Sequence, residues 1–208
     1  MTLVTPPITV IDSIPTLITF EEGYKLTPYP GSRNGNWNVG VGHNMTANGL
    51  PLPICYDLLK RIPTSSVSAI SFFKDELASY GDENSPFSVA YPFPGCLHLI
   101  QKTQDKALTP DEVEELFTYD VSVVTGFLPT LVPNYATINP IRQAALIDMG
   151  FNLGQYDFSL FDTFLFYVKE RNWQSAVEDL SHTKVYGELT ERYERITFML
   201  TYAEWPQI

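Results

Sequence analysis

The sequence predicts an α+β fold that is mainly helical, with a small strand-containing lobe joined to a larger helical lobe. Three observations carry this reading. Helical stripes with capping signals run from Thr109 to about Trp205. One short stretch, from Gly31 to Asn44, is rich in Gly and Asn and alternates in strand fashion. Between 45 and 108, Pro51, Pro53, Pro63, Pro86, Pro92 and Pro94 leave room only for short helical pieces. With 208 residues, 44% of them apolar and 13% aromatic, the chain can bury a sizeable core as a single domain, 1–208.

In chain order, residues 1–12 read as an arm. Ile14, Leu17, Ile18 and Glu21 then fall at helical spacing and predict a helix over 13–22. Gly23 supplies its stop, because glycine takes the left-handed C-cap conformation without a Cβ penalty. Glu22 is thus the last helical residue, where the helix dipole opposes negative charge and suits a group that must carry a proton. Residues 23–44 read as a loop followed by one or two hairpin strands. Trp37, Val39 and Val41 alternate there with Asn38, Gly40 and Gly42, and His43 ends the run. Helical pieces are predicted at 54–61 and 66–80, and a loop at 81–95.

Thr109-Pro110-Asp111-Glu112 is a capping box with a proline start. Its helix places Val113, Leu116, Phe117, Asp120, Val121 and Val124 on one stripe, with Gly126 just beyond. Asp120 on that stripe is either an edge carboxylate reaching water or one paired with a cation. Asn139-Pro140 opens a buried central helix from Ile141 to about Asn152, apolar around most of its circumference. A helix over 159–170 turns Phe161, Phe164, Leu165 and Val168 inward. Asn172 caps another that carries Trp173, Ala176, Val177 and Leu180. Thr190 starts the last, on which Arg192 and Arg195 lie three apart and read as a solvated face.

A net charge of −11 argues against a nucleic-acid partner. No segment is long and apolar enough for stable membrane insertion. The N-terminus, with Pro6, Pro7, Asp12 and Pro15 and no basic region, does not read as a signal peptide. Cys55 and Cys96 form no metal-binding spacing, and His43, His98 and His182 are scattered, so neither metal nor cofactor is called for. Two buried free thiols are expected, with a disulfide formed after export as the alternative.

Glu22-Gly23, Tyr29, the run Trp37-Asn-Val-Gly-Val-Gly-His43 and the downstream helix motifs, in this order, resemble the phage-type lysozymes, the T-even family of glycoside hydrolases. The resemblance covers roughly 12–44 and 108–205, and 45–108 looks enlarged. It implies a lysozyme-like fold with a glycan cleft between the lobes, and Glu22 as general acid. It pairs Arg192 with Glu22, and His43 with Asp120 as a structural bridge. Tyr29, Ser32, Phe151 and Asn152 become substrate-binding candidates, Asn152 having a helix cap as its alternative. Two departures stand out. Where the family carries its second carboxylate this chain has Gly31 and Ser32, and the family's Thr position holds Asn38. Phe164 and Asp179 also replace polar substrate contacts of the family.

The expected function is therefore a bacteriolytic muramidase acting as a monomer on bacterial peptidoglycan. By resemblance it would be made in a host bacterial cytoplasm or carried in a virion. The catalytic pair is Glu22 and Asn38, with Asn38, alone or together with Ser32, holding a water. Alternatives are an acid from 45–108 such as Asp57, Asp82 or Glu83, a lytic transglycosylase working with Glu22 alone, or an inactive wall-binding protein.

Overall fold

The computed structural model describes residues 11–31, 35–84 and 93–207. It is mainly helical with one small sheet, as the sequence predicts. The described residues divide into two units, Glu22–Tyr119 and residues 11–21 together with 120–207. The division falls inside two helices, α1 (Ile14–Glu22) and α6 (Pro110–Leu131).

In the first unit, β1 (Lys25–Pro30), β2 (Trp37–Gly40) and β3 (His43–Asn44) form an antiparallel meander. Lys25 opposes Gly40 and Tyr29 opposes Asn38, with an irregularity between the two pairs. Pro28 and Pro30 are tolerated because β1 is an edge strand. The β1–β2 loop closes when the Gly31 N–H donates to the Asn36 carbonyl at 2.9 Å. Asn44 then caps α2 (Met45–Asn48), its side chain accepting from the N–H groups of Thr46 and Ala47. Helices α3 (Leu52–Lys60), α4 (Val67–Tyr80) and α5 (Cys96–Lys102) follow. Their core contains Leu50, Ile54, Cys55, Leu58, Phe73, Leu77, Phe93 and Leu99. The first two helices match the expected pieces. Helix α5 was not expected, being short and without a side-chain cap. Most of the loop expected at 81–95 lies outside the described residues.

The capping box at the start of α6 forms as read. Glu112 accepts from the Thr109 N–H at 2.6 Å, and the Glu112 N–H donates to Thr109 Oγ1 at 3.2 Å. Glu112 is buried and has a second use, accepting from Arg61 Nη2 at 2.8 Å, while Arg61 Nη1 donates to Asp105 at 2.8 Å. One cation thus gathers the end of α3, the 103–107 segment and the start of α6.

Cys55 and Cys96 are both free and buried. Burial pushes the Cys96 thiol up to about 12 and raises the Cys55 thiol well above its ordinary value. Thiolate, the reactive form, is therefore suppressed at neutral pH. The native protein is expected to give no reaction with Ellman's reagent over minutes, and both thiols to react after denaturation. Rapid reaction of one thiol in the native state would contradict this packing.

The second unit gathers the body of α1 with the C-terminal helices. Helix α6 runs on past Gly126 and through Pro129, where the sequence placed its end. Burial of Val124, Phe127, Leu128 and Val132 outweighs the backbone hydrogen bond that Pro129 removes. After a 3₁₀ turn at Tyr135–Thr137, Asn139 caps α7 (Pro140–Ser159), accepting from the Ile141 N–H at 2.9 Å. Residues Ala144 to Gly150 of α7 are all buried, as expected of a central helix. At Gly150 a Cβ would lie 2.8 Å from Val124 Cγ1, so the glycine lets α7 approach α6 closely. The helix breaks at Gly154 (φ 73°) and resumes to Ser159.

Helices α8 (Asp162–Lys169), α9 (Trp173–Ser181), α10 (Lys184–Glu188) and α11 (Thr190–Tyr202) complete the unit. The sequence starts α8 three residues early and misses α10, a single short turn. Arg142 donates to the carbonyls of Leu200 and Thr201 at the end of α11 and lies 4.7 Å over the Trp173 ring. Among the described residues no helix is long and apolar enough to cross a membrane.

Candidate active site

The site begins where α1 stops. Gly23 (φ 75°) ends the helix and leaves Glu22 as its last residue, as the sequence indicated. Gly42 (φ 73°) turns the chain between β2 and β3 directly against this carboxylate. A Cβ built on Gly42 would sit 2.9 Å from Glu22 Oε2 and 3.2 Å from Glu22 Cβ. Glu22 therefore packs on bare backbone, and a side chain at position 42 would push the carboxyl aside and strain the positive φ.

Tyr29 and Asn38 face each other across β1 and β2 in the same unit. Burial raises the Tyr29 phenol above its ordinary value, and so does the Glu22 charge. Hydrogen bonds from the Asn38 side chain and the Gly42 backbone lower it in part. Lys25 covers the Tyr29 ring, its Nζ 4.3 Å from the centroid. Asn38 Oδ1 is buried with no hydrogen-bond partner among the described residues. Gly31 borders that oxygen, and a Cβ there would come within 3.2 Å of it. Glu22, Tyr29, Asn38 and the Gly42 turn are thus brought together: a carboxyl able to give or take a proton beside neutral hydrogen-bonding groups. Ser32 lies outside the described residues.

The other acids considered for a second role are engaged elsewhere. Asp57 and Glu83 both pair with Lys60, at 3.0 and 3.1 Å, and Asp82 accepts from the Asn84 N–H at 2.8 Å. His43 is buried, and its Nε2–H donates to the Gly49 carbonyl at 2.7 Å, which suits a structural residue. Asp120 is half-buried on α6.

In the second unit Arg192 is buried and donates from Nη2 to Asp148 Oδ1 at 2.7 Å. This Asp148 is wholly buried on α7 and was not singled out from sequence. Arg195 grips Glu21 through two bonds, Nε to Oε1 at 2.6 Å and Nη2 to Oε2 at 3.0 Å, and stacks on Phe20. The two arginines are therefore not a solvated face. The signal that could have found this was a basic pair three residues apart on an otherwise core-forming helix. Asn152 Oδ1 accepts from the Tyr193 hydroxyl at 3.4 Å, so it braces α7 against α11 instead of capping a helix end. Phe151 is half-buried beside it, and Phe164 is pure core. Among the described residues no three His, Cys, Asp or Glu side chains gather as a metal site would require.

No family model matches the chain. It is similar to two proteins of Dictyostelium discoideum. "Probable T4-type lysozyme 1" is 23% identical over 189 residues, 89% of this chain and 92% of that protein. "Probable T4-type lysozyme 2" is 22% identical over the same length and shares. These distant likenesses support a T4-lysozyme-like family and nothing finer. Both relatives are eukaryotic, so the expected bacteriophage and endolysin character gains no support.

Proposed function

We propose that this chain is a muramidase that cleaves the bond between N-acetylmuramic acid and N-acetylglucosamine in peptidoglycan. The observation that carries the reading is the placement of Glu22 on the Gly42 turn beside Tyr29 and Asn38. Glu22 gives its proton to the glycosidic oxygen as the C1–O bond breaks, and positive charge develops on the sugar ring. A water held by Asn38 then adds to C1. An amide takes no proton, so the water sheds its proton to solvent as the new bond forms. Phe151 and Asn152 are proposed sugar contacts.

The test is digestion of purified peptidoglycan with product identification by mass spectrometry. Reducing muramic ends support hydrolysis. Predominant 1,6-anhydro ends, one water lighter, would instead establish a lytic transglycosylase. The lack of a side chain at Gly31, beside Asn38, favours that second reading, because no base borders Asn38 there. Wall binding without cleavage would identify an inactive binding protein.

Gly42→Ala provides a further check. The new methyl must displace Glu22, and the positive φ costs about 1–2 kcal/mol for a non-glycine residue. Activity is expected to fall by roughly 100-fold, as for a catalytic group moved by about 1 Å. An active Gly42→Ala enzyme, measured by the same digestion, would show that Glu22 does not act from this position.

A further inference from the structure

We infer that Tyr193 is a positioning residue that holds the Asn152 amide with its nitrogen outward, so that the site selects the acetamido carbonyl of an N-acetylated sugar. The inference rests on the proposed function, in which Asn152 is a sugar contact, and names the group that Asn152 reads. All of its parts lie in the second unit.

Tyr193 stands on α11 and Asn152 on α7. The Tyr193 side chain is wholly buried, and its ring packs edge-on against Tyr186 with centroids 6.3 Å apart. Its hydroxyl donates to Asn152 Oδ1 at 3.4 Å and makes no other hydrogen bond among the described residues. That is long for a hydroxyl bond. Yet a buried hydroxyl needs an acceptor for its hydrogen, and this is the one at hand. Burial also lifts the phenol far above its ordinary value, so it remains a donor across the neutral range.

An amide has one accepting end and one donating end. With Oδ1 against Tyr193, the Asn152 amide presents Nδ2 on its other side. Asn152 is half-buried, and Nδ2 makes no hydrogen bond among the described residues. It is not one of their buried unpaired atoms, so solvent reaches it. Turned by half a rotation, the amide would set Nδ2 against the hydroxyl and strand the hydroxyl hydrogen in the interior, which is costly. Leu153, next in the chain, lines an open hollow of about 460 Å³ with Leu160, Phe161 and Val185, so a ligand has room in this neighbourhood.

A donor fixed outward fits a group that only accepts. Sugar hydroxyls give and accept alike, whereas the acetamido carbonyl only accepts. Removing the acetyl group leaves an amine that is protonated at mildly acidic pH and opposes the Asn152 N–H. Without the Tyr193 hydroxyl the amide turns freely and can meet that amine with its oxygen. Tyr193 thus sets specificity through Asn152 and touches no substrate.

The experiment compares wild type, Tyr193→Phe, Asn152→Ala and the double variant at mildly acidic pH. Substrates are soluble, uncross-linked peptidoglycan strands, either fully N-acetylated or partly de-N-acetylated. The readouts are kcat, KM and a melting curve. Tyr193→Phe is expected to raise KM on acetylated strands about fivefold, as for one lost hydrogen bond, with kcat within about twofold. KM on the partly de-N-acetylated strands should rise less, which narrows the preference. Added to Asn152→Ala, Tyr193→Phe should narrow it no further, because its effect passes through the amide.

An unchanged KM in Tyr193→Phe, an equal rise on both substrates, or the same narrowing in the Asn152→Ala background would overturn the inference and leave the muramidase reading standing. No cleavage of acetylated strands by the wild-type chain would overturn the muramidase reading and this inference with it. If Tyr193→Phe fails to fold, Asn152→Asp decides. Its carboxylate still accepts from Tyr193 but offers the substrate an acceptor, so preference should move toward the de-N-acetylated strands. An Asn152→Asp enzyme with the wild-type preference would overturn the inference.

Discussion

Glu22→Gln is expected to lower peptidoglycan cleavage by roughly 100- to 10,000-fold, the usual worth of a positioned general acid. The amide keeps the size of the carboxyl, so its packing on the Gly42 turn survives while the transferable proton is gone. Thermal stability should change little, and binding to the insoluble wall should persist. The measurement is the initial rate of release of soluble fragments, beside a melting curve for the same preparation. Activity within about threefold of wild type would remove Glu22 from the acid role, since no general acid is worth so little. Loss of activity together with early melting would indicate a structural effect instead.

Asp148→Ala is expected to have the largest effect on stability. Asp148 is wholly buried and Arg192 nearly so, and their contact is 2.7 Å long. Removing the acid takes away the 2.7 Å carboxylate contact of a guanidinium held in the interior. Breaking such a buried pair by removing one partner costs about 3–5 kcal/mol. For a chain of this size that corresponds to a melting temperature lower by roughly 10 °C. Asp148→Asn retains an acceptor for Arg192 and should lose less than half as much. Equal losses in the two variants would mean that side-chain volume, not charge, matters at this position.

These two residues mark the two ends of what sequence reasoning could reach. Glu22 was legible because its cue is local: a glycine that ends an apolar helical repeat. The Thr109–Glu112 box was legible for the same reason, and the structure forms both of its hydrogen bonds. Asn38 and Tyr29 were found through the resemblance, but their direct opposition depends on strand register, and Pro28 and Pro30 disguise β1 as a loop. Asp148 was missed although a lone Asp in an apolar helix calls for a cation, as Asp120 did; its partner is an arginine 44 positions later that turns inward to meet it. Helix α6 shows the converse. Gly126 and Pro129 are true local stop signals, overruled by burial of the residues around them.

The clamp between Arg195 and Glu21 joins positions 174 residues apart. That distance has a consequence for how the protein is made. At about 5–20 residues per second, synthesis needs roughly 10–35 s to travel from Glu21 to Arg195. During that time α1 waits on the nascent chain without its clamp, while the contiguous stretch Glu22–Tyr119 is already complete. Closing so long a loop also carries a large entropic cost, which slows formation of the contact. The helix that ends in Glu22 is therefore among the first segments made and among the last secured. A transcript or protease event that ends the chain before Arg195 would release a product with every residue of the Glu22, Tyr29 and Asn38 group present, yet with the acid's helix unmoored.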